Sequence, residues 1–201
     1  MTVGRFRILH VCTGNIGRSP MAERLMQLRL RQRLASDAEA FHVDSAGTWG
    51  QPGAPMEPFA AQAVHELGGV PDGFQARDLQ AVHIELADLV LTATVEHRAA
   101  VVAMVPSAVR RAFTLKEFAR LGAAVEPAMM SVRVTAASPD PVDYAAAAVH
   151  AALTLRGPGE RPTPGADDVL DPIGAPYRVY QARAREIDLA VGQCVRVLAT
   201  R

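Results

Sequence analysis

The chain has 201 residues, 49% hydrophobic and 21% charged, enough apolar material for one domain with a sizeable core. Lys plus Arg and Asp plus Glu each total 21, a formal net charge of zero, which excludes the broad basic surface that nucleic-acid or anionic-membrane binding requires. No apolar run reaches the roughly 18 to 20 residues of a membrane span, the start lacks a signal-peptide pattern, and two cysteines make no disulfide framework. A cytoplasmic protein with reduced thiols is expected.

Arg7 to Val11 is a short apolar run that reads as a buried strand, followed at once by a glycine-bearing turn and a helical pattern from Pro20 to about Leu34. Phe41 to Ser45 reads as a second strand, Met56 to Leu67 as a helix, Ala87 to Thr92 as a third strand, Val95 to Met104 as a helix and Ala112 to Thr114 as a fourth strand. This alternation predicts an α/β fold, a doubly wound four-stranded parallel sheet flanked by helices. From Gly122 to Asp168 the pattern weakens, with an alanine-rich helix near Tyr144 to Leu155 and a loop from Gly157 to Gly165 that reads as mobile. The last helix, from about Tyr180 to Leu198, carries an apolar stripe at Ile187, Val191, Cys194 and Leu198, which makes Cys194 a core thiol. A single domain over residues 1–201 is expected, with an extended insertion at about residues 122–168.

The segment Val11-Cys12-Thr13-Gly14-Asn15-Ile16-Gly17-Arg18-Ser19-Pro20 puts a cysteine at a strand end, then a five-residue loop, then an arginine at a helix start. Ser19 suits the N-cap and Pro20 the first helical position, so the loop ends where free N–H groups and the positive end of a helix dipole favour an anion. Gly14 and Gly17 let the backbone turn its amides inward, a nest for three phosphate oxygens, while Arg18 grips two of them. The same positive field favours the thiolate of Cys12, a nucleophile for phosphorus that would give a phosphocysteine for water to hydrolyse. A leaving phenolate needs a proton, worth about 10² to 10⁴ in rate. Of the two Asp-Pro pairs, Asp140-Pro141 and Asp171-Pro172, Asp171 is favoured because it precedes the final helix on a loop that the Gly157 to Gly165 segment would let close over substrate.

Cys12-x5-Arg18-Ser-Pro-Met-Ala-Glu23, then Asp44-Ser-Ala-Gly-Thr48, Ala87-Asp-Leu-Val-Leu91 and Asp171-Pro172 before the terminal helix resemble, in order and spacing, the low-molecular-weight protein tyrosine phosphatases. The resemblance implies phosphotyrosine proteins or small aryl phosphates as substrates, no cofactor or metal, and a bacterial protein. It implies Cys12 as nucleophile, Arg18 as phosphate clamp and Asp171 as general acid, with Thr13, Gly14, Asn15, Ile16, Gly17 and Ser19 around the phosphate. It also implies Ser45 as loop support and Trp49 as an aromatic wall for the phenyl ring. The chain departs from the pattern at Gly17, where many relatives have a second cysteine that protects the first. It departs again at Phe74, where relatives carry a loop-bracing histidine, and at Ile173 and Gly174, where many carry tyrosines.

Three other readings stay open on this scaffold. Arsenate reduction would need an external thiol, since Cys194 reads as buried. Phosphoarginine hydrolysis is the reading for relatives with threonine where this chain has Ile16. A catalytically weak phosphate- or partner-binding module is the third. The six histidines, at positions 10, 42, 65, 83, 97 and 150, show no metal-ligand spacing. His10 reads as a buried strand residue and Asp44 as a strand-end hydrogen-bond acceptor.

Overall fold

The structure, a computed structural model, describes residues 4–135, 140–156 and 163–199, with only the backbone of 126–135. Four strands, β1 (Phe6–Cys12), β2 (Phe41–Gly47), β3 (Leu89–Thr92) and β4 (Ala112–Thr114), form one parallel sheet in the order β2-β1-β3-β4. Strand side chains alternate between faces. Phe6 and Ile8 of β1, with Leu89, Leu91 and Phe113, pack into the larger core on one face, whereas Leu9, Val11, Val90 and Ala112 join the smaller core on the other. This two-sided burial explains why the strands read as near-continuous apolar runs.

Helices α1 (Arg18–Leu34), α2 (Pro58–Glu66), α5 (Leu115–Thr135), α6 (Pro141–Leu155) and α7 (Tyr177–Leu198) supply the larger core, and α3 (Ala81–Glu85) and α4 (Val95–Met104) the smaller. The stripe on α7 is buried as expected, and Cys194 is fully enclosed, its thiol pushed up by burial. No helix among the described residues is long and apolar enough to cross a membrane.

Two expectations need correcting. Ser19 is not the N-cap of α1: Gly17 occupies that position, Arg18 opens the helix and Pro20 is its third residue. Proline is tolerated there because the first four N–H groups of a helix have no internal acceptor. The weak pattern after Gly122 also hides most of a helix, for α5 runs through Gly122 to Thr135. A Cβ at 122 would come within 3.1 Å of Val197, so the glycine marks close approach of α5 to α7. The alanine-rich helix starts at Pro141, and Asp140 is its N-cap, accepting from the amides of Val142 at 2.8 Å and Asp143 at 3.3 Å. That leaves Asp171 as the other Asp-Pro acid. Residues 157–162 of the loop read as mobile lie outside the described residues, and 163–168 form a turn in which Gly165 takes a φ of +78°.

Candidate active site

The sheet order reverses around β1, which has β2 on one side and β3 on the other. In doubly wound sheets the crevice at such a switch point, beyond the carboxyl ends of the strands, is where ligands bind. Cys12 ends β1 in register with Gly47 of β2, and Val11 is in register with Thr92 of β3. The loop of residues 13–17 therefore sits at the head of the crevice.

Apart from Asn15 O, its carbonyls are taken by neighbouring amides. Cys12 O accepts from Thr48 N at 2.9 Å, Thr13 O from Trp49 N at 3.0 Å, Gly14 O from Gln51 N at 3.2 Å, Ile16 O from Glu57 N at 2.8 Å and Gly17 O from Met21 N at 3.1 Å. Gly47 makes this close docking possible, since a Cβ there would lie 2.2 Å from Thr13 O. Among the described residues no turn, loop or cap hydrogen bond engages the amides of residues 13–18. Carbonyls out and amides free is the arrangement of an anion nest.

Asn15 holds the loop from inside. It adopts a left-handed backbone, φ 54°, a conformation that asparagine tolerates better than most residues, and it is wholly buried. Its Nδ2 donates to Ser19 Oγ at 2.9 Å and to Ser45 Oγ at 2.8 Å, and its Oδ1 accepts from the Arg77 amide at 2.9 Å. Ser45 in turn donates to Glu23 Oε2 at 2.7 Å. Burial pushes the Glu23 carboxyl up from its ordinary range, and the Ser45 bond opposes that. Because Asn15 supplies the proton to Ser19 Oγ, the Ser19 hydroxyl hydrogen is free for Cys12 Sγ, 2.9 Å away. Cys12 is 2% exposed and receives this bond at the floor of the site.

Arg18 is buried and reaches three acceptors. Its Nη1 donates to Val169 O at 3.2 Å, and its Nη2 donates to Thr13 Oγ1 at 3.1 Å and to Asp171 Oδ2 at 2.5 Å. Asp171 has a side chain 44% exposed and stands over the clamp from the segment before α7. That segment is fastened to the sheet: Val169 N donates to Ala93 O, and Ala93 N to Val11 O, both at 2.8 Å. The structure thus brings together Cys12, the loop, Arg18, Ser19, Ser45 and Asp171, which are spread over some 160 positions of the sequence.

Trp49 is 81% exposed, its amide held by Thr13 O, and Ile173 is 52% exposed, its Cδ1 3.9 Å from where a Gly17 Cβ would lie. Trp49 is thus tethered to the loop by its backbone and Ile173 stands beside Gly17, both with largely exposed apolar side chains. Phe74 is buried, with the Arg24 guanidinium 5.6 Å over its ring, so it serves the core while the Arg77 amide braces Asn15. His42 Nε2 lies 2.8 Å from Asp44 Oδ2, and Arg77 pairs with the same oxygen at 3.3 Å, so Asp44 is an acceptor as expected, but from the middle of β2 and not its end, since the strand runs on to Gly47.

Sequence reasoning missed His97, whose Nε2 lies 2.9 Å from Thr13 Oγ1, and the roles of Glu23 and the Arg77 amide. Nothing local signals them: His97 is 84 positions from Thr13 and meets it only through the packing of α4 beside the β1 loop.

A doubly wound parallel sheet with a Cys-x5-Arg loop at its switch point, an aspartate facing the arginine, is the architecture of a cysteine-dependent phosphatase. Over residues 7–126 the sequence matches the family described as low molecular weight phosphotyrosine protein phosphatase, and the chain belongs to that family. It is 26% identical over 196 residues to the protein-arginine-phosphatase of Geobacillus stearothermophilus, covering 97% of both chains. It is 38% identical over 99 residues to the low molecular weight protein-tyrosine-phosphatase Etp of Escherichia coli strain K12, 49% of this chain and 62% of that one. The crystal structure of the low molecular weight protein tyrosine phosphatase from T. tengcongensis matches with a TM-score of 0.65 at 25% identity, covering 94% of this chain and 97% of that one.

Proposed function

We propose that this chain is a cytoplasmic phosphatase that hydrolyses phosphotyrosine and related aryl phosphate monoesters through a phosphocysteine, without a cofactor. The observation that carries the reading is the convergence of Cys12 Sγ, a loop with its amides free, Arg18 and Asp171 on one crevice. An incoming phosphate dianion takes the place of the Asp171 carboxylate on Arg18, its oxygens shared between guanidinium and loop amides. Cys12 sulfur attacks phosphorus in line, the P–O bond to the phenol breaks, and Asp171, released from the arginine and protonated, gives its proton to the leaving oxygen. The Ser19 hydroxyl supports the sulfur while it carries charge. In the second half, Asp171 as carboxylate takes a proton from water, the water oxygen bonds phosphorus, the P–S bond breaks, and inorganic phosphate leaves with Cys12 restored.

The aryl preference rests on Ile16, an apolar side chain in the phosphate loop, and on Trp49, exposed next to that loop, a flat surface for a phenyl ring. A second reading, phosphoarginine hydrolysis, is favoured by the likeness over nearly the whole chain to a protein-arginine-phosphatase. The test is turnover of p-nitrophenyl phosphate, phosphotyrosine peptides, phosphoarginine and phosphoserine, with arsenate in parallel, by wild type, Cys12→Ser and Asp171→Asn. Aryl phosphate hydrolysis lost in Cys12→Ser and lowered about 10² to 10⁴-fold in Asp171→Asn is expected. Faster turnover of phosphoarginine than of phosphotyrosine by wild type would replace the first reading with the second.

A further inference from the structure

We infer that His97 is a positioning residue that holds the Arg18 clamp for a phosphate dianion through the Thr13 hydroxyl, an assignment that rests on reading the Cys12 loop as a phosphate site. Thr13 follows the nucleophile directly and turns its side chain away from the nest. Its Oγ1 accepts from Arg18 Nη2 at 3.1 Å and lies 2.9 Å from His97 Nε2. An arginine only donates, and a hydroxyl has one proton to give. With the imidazole neutral, the arrangement that gives the Thr13 proton an acceptor sends it to His97 Nε2 as the unprotonated nitrogen. Nδ1 then carries the ring hydrogen and donates it to Thr94 Oγ1 at 2.7 Å, a tautomer assigned from the network. Thr94 Oγ1 also accepts from the His97 amide at 3.4 Å, and Thr94 holds the neighbouring Glu96 carboxyl below its ordinary range.

The Thr13 proton has His97 as its acceptor only while His97 is neutral. Burial first, and the Arg18 charge second, hold its imidazole below the ordinary value, against Glu96 on its own helix and Asp171 and Asp168 from the segment before α7. Asp168 is already engaged, accepting from Val95 N at 2.9 Å.

The consequence concerns the moment phosphate binds. Arg18 Nη2 is shared between Thr13 and Asp171, and a phosphate dianion on the clamp displaces the Asp171 contact. What remains to orient the guanidinium is Val169 O on Nη1 and Thr13 on Nη2. Without His97 to take its proton, the Thr13 hydroxyl is free to rotate and to point that proton toward the arginine. The anchor is thus independent of the ligand and reaches the site from a helix that contributes nothing else to it.

The test is calorimetric titration of inorganic phosphate into wild type, Thr13→Val, His97→Ala, the double variant and His97→Gln, alongside p-nitrophenyl phosphate kinetics and thermal melts. Each single variant is expected to bind phosphate about tenfold more weakly, the loss of one hydrogen bond to a charged group, with KM raised more than kcat is lowered. The double variant is expected to lose no more than either single, because both break the same chain. His97→Gln, whose amide oxygen accepts the Thr13 proton, is expected to recover most of the affinity. Unchanged phosphate affinity in Thr13→Val or His97→Ala overturns the assignment, as does a double variant whose loss is the product of the two singles. Thr13 lies exposed on the loop, so Thr13→Val decides the matter even if His97→Ala fails to fold. Wild type that binds phosphate but leaves p-nitrophenyl phosphate intact sinks the hydrolytic reading while the same titrations still decide the anchor. Wild type that binds no phosphate overturns both.

Discussion

Lowering the pH from 7 to 5 charges His10 in the unfolded chain and not in the folded one. His10 lies in β1 two residues before Cys12, is 1% exposed, and has no hydrogen-bond partner for Nε2 among the described residues. Burial pushes its imidazole down to about 3 from 6.5. The folded state therefore refuses a proton that the unfolded state accepts, and stability falls as pH drops below about 6.5, the loss continuing toward about 3. From 6.5 to 5 is about 1.5 pH units at about 1.4 kcal/mol each, so His10 alone removes about 2 kcal/mol by pH 5, a large share of the roughly 5 to 15 kcal/mol that holds a domain together. Urea unfolding of wild type and His10→Gln at both pH values isolates the term. The variant is expected to lose about 2 kcal/mol less than wild type between pH 7 and 5. Equal losses in the two proteins would refute the reasoning and move the acid sensitivity to other groups, His97 first among them.

Trp49→Ala should leave stability within about 0.5 kcal/mol, because an exposed side chain has little packing to lose, and raise KM for aryl phosphates about threefold to tenfold, the value of one aromatic contact; an unchanged KM removes Trp49 from the substrate site. Gly17→Cys should fold normally, since a Cβ there meets nothing nearer than Ile173 Cδ1 at 3.9 Å, and should regain more activity than wild type when a mild thiol follows peroxide; equal recovery would show that Gly17 leaves the nucleophile no more vulnerable. Glu117 is buried between Arg98 at 2.9 Å and Arg156 at 3.0 Å, and the Arg156 guanidinium lies 3.7 Å over the Phe113 ring. Glu117→Gln should cost roughly 2 to 3 kcal/mol in urea unfolding, below the range for fully enclosed pairs because both arginines keep some solvent contact; a loss under about 0.5 kcal/mol, the range of ordinary surface changes, would mean the cluster is solvated.

The parallel sheet was legible because strands buried on both faces leave continuous apolar runs, and the ends of β1 and β2 were misjudged by only a residue or two. Helix α5 was not read in the sequence at all, neither its first turns nor its run past Gly122, where a glycine that breaks a helix and one that lets two helices touch look the same in sequence. The difference is Val197, 75 positions away. Ser19 was misplaced as a cap for a related reason: its hydroxyl is committed to Cys12 and Asn15, a tertiary demand that overrides the local preference of serine for helix ends.

The site divides along the same line. Cys12, Arg18 and the loop glycines stand in one segment, where spacing alone specifies a nest. The partners that make the segment rigid come from elsewhere: Ser45 and Glu23 below it, Arg77 beside it, Thr13 tied to His97. The substitution of Phe74 for a bracing histidine is instructive here, because a missing side chain suggests a weakened loop. Asn15 Oδ1 is nonetheless satisfied by the Arg77 backbone amide, a donor that any residue but proline supplies at that position. Its placement depends on the chain path between β2 and α3, where Gly47 and Gly50 let the backbones meet: a Cβ at 50 would lie 2.4 Å from Arg77 O. The loop is therefore held by backbone geometry where a side chain is lacking, and its rigidity should be more sensitive to Gly50 than to Phe74.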